Sequence, residues 1–139
     1  MNKEKSAGVI VYKKINEEPH FLIIYSKKNF PGFPKGHMEP EEREEDTAKR
    51  ELFEEVGIKK INLKQGFRES ITYTIFDTDI QKEVVFFLGE VLDFAQIKIN
   101  PDEINEFKIV TFDEAKNILN EQLINVLEKC NLYIKSQKE

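Results

Sequence analysis

The stretch GHMEPEEREEDTAKRELFEEVGI, residues 36–58, decides how the rest of this chain is read. After Pro40 it contains only residues compatible with a helix until Gly57, and Ala48, Leu52, Phe53 and Val56 recur at the spacing of a helix that packs one stripe against a core. Gly57 then reads as the C-terminal stop, because glycine accepts the left-handed conformation that ends helices. At about 100° per residue, Glu51, Glu54 and Glu55 share an arc of about 100° beside the apolar stripe. One face packs and its neighbour is acidic. Like charges at this spacing cost an isolated helix roughly a few tenths of a kcal/mol per pair, and Glu39, Glu41, Glu42, Glu44, Glu45 and Asp46 add to the same field. The acidic run alone is explained most simply as a solvated helix with Arg43, Lys49 and Arg50 as internal partners. The alternative is a bound cation that offsets the repulsion.

Upstream, residues 7–12 and 21–25 are β-branched and aromatic runs, expected as two strands joined by a polar loop with Pro19. Residues 29–37, NFPGFPKGH, hold two prolines and two glycines and must form a shaped loop. Downstream, residues 61–67, 70–76, 84–91 and 108–110 read as strands of a mixed sheet, with 77–82 as a polar turn. Thr111-Phe-Asp-Glu114 has the capping-box pattern and opens a helical region that turns Ala115, Ile118, Leu119, Leu123, Leu127 and Cys130 inward. The basic tail after Ile134 is expected to fray.

With 139 residues, 40% of them hydrophobic, the chain suits a single domain, 1–139, around one core. No apolar stretch approaches the roughly 20 residues that cross a bilayer, and no cleavage-like site follows the N-terminal lysines, so a cytoplasmic location and no membrane partner are expected. Cys130 has no second cysteine to pair with and lies among apolar residues, which predicts a buried, inert thiol. A net charge of -5 argues against a nucleic acid held on a broad basic surface. It does not argue against phosphate substrates, because bound cations can supply the positive charge that the protein lacks.

Gly36, Glu42 and the run Arg50-Glu51-Leu52-Phe53-Glu54-Glu55-Val56-Gly57-Ile58 resemble the Nudix box, the signature of the Nudix pyrophosphohydrolases, at every specified position. At background frequencies of roughly 6% per residue, this coincidence arises on the order of once in ten billion windows. The resemblance implies an α/β/α sandwich with a mixed sheet and a loop-helix-loop catalytic box. It implies two or more Mg²⁺ or Mn²⁺ ions held by Glu51, Glu55 and the Gly36 carbonyl. Glu54 is then a ligand or the base that activates water, Glu42 acts less directly, and Arg50 orients a box glutamate. Such ions neutralise polyphosphate, acidify water and stabilise the in-line displacement.

Outside the box, the segments 6–12, 32–37 and 82–88, with Phe112-Asp-Glu-Ala115, look like the asymmetrical diadenosine tetraphosphate hydrolases, a resemblance that covers most of the chain. It implies a small nucleotide substrate cut into ATP and AMP, with Lys35, His37 and Lys82 on the phosphates and Tyr73 or Phe76 against a base. Each has a plainer reading: a turn residue for His37 and Lys82, core packing for either aromatic. Glu103 matches a distal carboxylate that reaches the metal cluster, although a surface loop acid is the plainer reading here too. The chain departs from the family's pattern at Pro31 and Ile109, where tryptophan is usual, and at Ile104, where histidine follows the glutamate. Other diphosphates, namely an RNA 5′ end, a nucleoside triphosphate or a nucleotide sugar, therefore remain open, as does a non-catalytic nucleotide-binding module.

Overall fold

The parallel pairing of two long strands organises the molecule. In the computed structural model, which describes residues 2–137, β1 (Lys3–Ile15) runs parallel to β7 (Gln81–Glu90) from Lys3 opposite Gln81 to Tyr12 opposite Glu90. Every other pairing is antiparallel. β2 (Glu18–Ser26) returns along β1 and carries β8 (Ile104–Thr111) and the short β3 (Pro31–Gly32); β4 (Lys35–His37) joins β1, while β5 (Asn62–Leu63) and β6 (Glu69–Thr74) join β7. The result is the expected mixed sheet.

Strand alternation splits the apolar residues between two layers. Ala7, Val9 and Val11 of β1, with Leu22, Ile24, Val85 and Phe87, face α1 (Glu44–Val56) and its Ala48, Leu52 and Val56. Ile10 and Tyr12, with Phe21, Ile23, Val84, Phe86 and Leu88, face α2 (Phe112–Ala115) and α3 (Glu121–Ser136), which supply Ala115, Leu123, Leu127 and Cys130. Helices on both faces of one sheet make the α/β/α sandwich.

Several local expectations need correction. The box helix starts at Glu44 rather than near Pro40, because Glu41 adopts a positive φ of 70° and the Glu42 carboxylate folds back to accept from the Glu39 N–H at 2.9 Å. Asp46 then accepts the Arg43 N–H at 3.1 Å, and acids in the first turn suit the helix dipole. Phe53 is 46% exposed and lies under the Lys59 ammonium; Thr47 takes its place on the buried face. Gly57 does end the helix, at φ 75°, with its N–H donating to the Phe53 carbonyl. The expected strand 61–67 shrinks to two residues, since Gly66 turns the chain at φ 82° and sends Phe67 edge-on against Tyr133. The Thr111 capping box forms, but Asn120 caps a new helix through the Leu123 N–H, so the C-terminal helical region is two pieces. α3 stays helical to Ser136, and residues 138–139 of the tail lie outside the described residues. No described helix is long and apolar enough to cross a membrane.

Candidate active site

The site forms where β4 lies against α1. Pairing of Ala7 with Gly36 and of Gly8 with Lys35 lays β4 along β1, and both glycines are demanded by close approach. A Cβ on Gly8 would lie 2.7 Å from the Lys35 Cβ, and a Cβ on Gly36 would overlap the carboxylate of Glu51. The Gly36 backbone therefore sits directly against Glu51, an approach that only a residue without a Cβ allows.

Arg50 is the hub of the acidic face. Its Nε and Nη2 donate to the two Glu42 oxygens at 2.7 and 3.1 Å, its Nη1 donates to Glu51 at 2.8 Å and Glu54 at 3.1 Å, and its Nη2 also donates to the His37 carbonyl at 3.0 Å. Only a planar guanidinium can span so many acceptors in fixed geometry. The Arg50 hydrogen bonds, with the Glu39 N–H and the Thr47 hydroxyl, pull the Glu42 carboxyl down to about 2. Glu42 is thereby a permanent counter-charge that fixes Arg50, and Arg50 in turn aims Glu51 and Glu54.

Glu55 is different. Burial pushes its carboxyl up to about 8, against the pull of the Lys35 N–H, which donates to Oε1 at 3.2 Å; the charges of Glu51 and Glu103 push the same way as burial. Glu51 is also raised, again chiefly by burial. A desolvated carboxyl among like charges is costly when ionised and gains most from a cation. Glu103 arrives from a distant part of the sequence because the last carbonyls of α1 recruit its loop: the Lys98 N–H donates to the Val56 carbonyl and the Asn100 N–H to the Glu55 carbonyl, both at 2.9 Å. Helix ends leave such carbonyls unsatisfied, and here the chain itself caps them.

Among the described residues no three acidic, histidine or cysteine side chains are yet gathered about one point. Glu51 and Glu54 point into the Arg50 fork instead. The donor set nevertheless fits a hard divalent cation, being entirely oxygen, clustered on one helix face and partly desolvated, with the Gly36 backbone pressed against it.

A cavity of about 540 Å³ opens from this edge, with Lys35, Glu55 and Glu103 at one end and Phe30, Tyr73, Ile71, Asn120 and Gln122 among its other walls. A second cavity, of about 580 Å³, lies at the far end of β1, lined by Lys13, Lys14 and Lys60, and touches none of the sequence-derived site residues. Lys82 is only 8% exposed, and burial lowers its ammonium pKa; its Nζ lies 3.2 Å from the His37 Nε2, across β1. His37 also faces Glu4 at 3.5 Å. Tyr73, paired with Lys82 across β6 and β7, lines the cavity. Phe76 does not: it is 94% exposed beyond the end of β6, beside the turn residue Asp77, which has a φ of 62°. Phe30, Asn120 and Gln122 were not marked by any motif. Their only sequence signals are an aromatic in a loop before Pro31 and a capping asparagine before a helix.

The sequence profile of the NUDIX domain matches residues 3–130. An RNA pyrophosphohydrolase of Sulfurovum sp. (strain NBC37-1) is 34% identical over 118 residues, which span 76% of this chain and 73% of that protein. The asymmetrical bis(5′-nucleosyl)-tetraphosphatase of Sus scrofa is 27% identical over 122 residues, 80% of this chain and 81% of that protein. Among solved structures, a C. elegans Ap4A hydrolase binary complex superposes with a TM-score of 0.87 at 23% identity, over 96% of this chain and 99% of that one, a likeness of fold.

Proposed function

The chain belongs to the Nudix hydrolase family, and from that membership we propose that it cuts diadenosine tetraphosphate asymmetrically into ATP and AMP with the help of divalent cations. The observation that carries this reading is Glu55, a desolvated carboxyl under the influence of Glu51 and Glu103 at the end of a nucleotide-sized cavity. Relatives that are asymmetrical tetraphosphatases, 27 to 29% identical over about four-fifths of the chain, support the substrate.

In this reading Glu51, Glu54, Glu55, Glu103 and the Gly36 carbonyl hold two or more Mg²⁺ or Mn²⁺ ions, which supply positive charge to the phosphate oxygens and make water easier to deprotonate. Lys35, His37 and Lys82 bind and orient the phosphate chain. Arg50 keeps Glu51 and Glu54 aligned, and a carboxylate at Glu54 or Glu55 takes the proton of the attacking water. Water adds in line to a phosphorus atom while the bond to the leaving phosphate oxygen breaks. Tyr73 offers its ring to a base.

A second reading, RNA pyrophosphohydrolysis, is favoured by the relative at 34% identity. Assays of dinucleoside polyphosphates, nucleoside triphosphates, nucleotide sugars and triphosphorylated RNA with Mg²⁺, products identified, separate the two. ATP plus AMP formed from the tetraphosphate faster than any other turnover supports the first; faster pyrophosphate release from RNA supports the second. Full turnover in chelator removes the metal-dependent chemistry altogether.

A further inference from the structure

Phe30 is 67% exposed, yet the chain around it is held firmly. The Ser26 N–H donates to the Phe30 carbonyl at 3.0 Å, the Phe30 N–H donates to the Ser26 hydroxyl at 3.2 Å, and the Asn29 N–H donates to the Ser26 carbonyl at 2.8 Å. Asn29 sits at a φ of 63°, and the Asn105 amide on β8 donates to its side-chain oxygen at 2.7 Å. Pro31 then enters β3, paired with Tyr25. The ring is thus displayed by a braced turn rather than left loose, and among the described residues no other ring or cation stacks on it.

Phe30 lines the same cavity as Lys35, Glu55 and Glu103. Tyr73 lines it from β6, on the other side of β7 and β1, so the two rings approach the cavity from opposite flanks of the sheet. Its charged end suits phosphates, whereas a rigid aromatic face at its rim suits the flat, weakly hydrated face of a nucleobase.

We propose that Phe30 is a base-stacking residue of this enzyme, a specificity determinant that holds one nucleobase of the substrate on the flank facing away from Tyr73. The inference rests on the nucleoside polyphosphate reading above. An apolar ring reads no base edge, so it favours bases by the area of their faces, purines over pyrimidines.

The chain contains no tryptophan, which makes Phe30→Trp a single fluorescent reporter at this position. Leu92→Trp, at a side chain 90% exposed on the distal cavity, is the control. The probes are α,β-methylene ATP and inorganic tripolyphosphate, titrated without added metal. The expected result is quenching of Phe30→Trp by the nucleotide, little response to tripolyphosphate, and no response of the control. In steady-state assays Phe30→Ala and Phe30→Leu are expected to raise KM for the nucleotide by about 5- to 150-fold, with kcat moving much less, while Phe30→Tyr restores it. An unresponsive or equally responsive Phe30→Trp in a protein that still cleaves nucleotides overturns the stacking role and leaves the hydrolase standing. Quenching in a protein that cleaves none of the substrates upholds the stacking role and removes the hydrolase reading, and absence of both removes both.

Discussion

Glu55→Gln separates the energetic cost of the site from its use. In the metal-free protein the Glu55 carboxyl titrates near 8 rather than at its ordinary 4.5, mainly through burial. Below the lower value the folded and unfolded chains both hold the proton, and this group costs folding nothing. As pH rises towards 8 the unfolded chain ionises while the folded one does not, so stability is lost across that interval and levels off above it. Each pH unit of that interval corresponds to about 1.4 kcal/mol, and its full width therefore bounds the loss at about 5 kcal/mol; water reaching the cavity reduces it to the order of 3 kcal/mol. Glutamine has nearly the same shape, and its carbonyl still accepts from the Lys35 N–H. Urea unfolding in chelator should therefore find Glu55→Gln more stable than wild type by about 3 kcal/mol at pH 8 and by less than about 1 kcal/mol at pH 5. Added Mg²⁺ should narrow the gap at pH 8 by stabilising the wild type selectively, while the variant loses turnover by orders of magnitude. A stability difference that is the same at both pH values would refute the desolvation argument.

Arg50→Lys retains the charge but not the fork that spans Glu42, Glu51, Glu54 and the His37 carbonyl; kcat should fall at least about tenfold and stability by about 1 to 3 kcal/mol, read from steady-state rates and urea melts. Gly36→Ala drives a methyl group into the Glu51 carboxylate, so the Mg²⁺ concentration for half-maximal rate should rise by about tenfold or more, whereas an unchanged metal dependence would exclude Gly36 from the cation site. Cys130 is fully buried, and burial pushes its thiol pKa well up; it should resist a disulfide reagent in the folded protein and react promptly in denaturant.

The local order of this chain is legible in its sequence because the signals are local. Unbroken β-branched and aromatic apolar runs mark β1, β2 and β7, the stripe at Ala48, Leu52 and Val56 marks α1 and its buried face, and Gly57 marks where α1 stops. The carboxylate face is legible for the same reason, since residues three and four apart on a helix are neighbours whatever surrounds them. Where short-range rules compete, sequence alone misplaces the boundary. The start of α1 moves to Glu44 because Glu42 bonds to the Glu39 N–H and to Arg50, and Phe53 leaves the core because the stripe is narrower than its hydrophobicity suggests.

Tertiary structure alone decided which distant residues meet. Glu103 stands beside Glu55 because the exposed carbonyls at the end of α1 need donors, and the loop from Lys98 to Asn100 provides them. Lys82 reaches His37 because β7 and β4 flank the same strand, and Phe30 lines the cavity from the turn between β2 and β3, whereas Phe76 lies beyond the end of β6 and does not. A helix or strand period is a property of a few consecutive residues and is written in their order. The partners of a long-range contact are chosen by the packing of the whole sheet and its helices, and so is the desolvation that sets Glu55 apart from the other box glutamates.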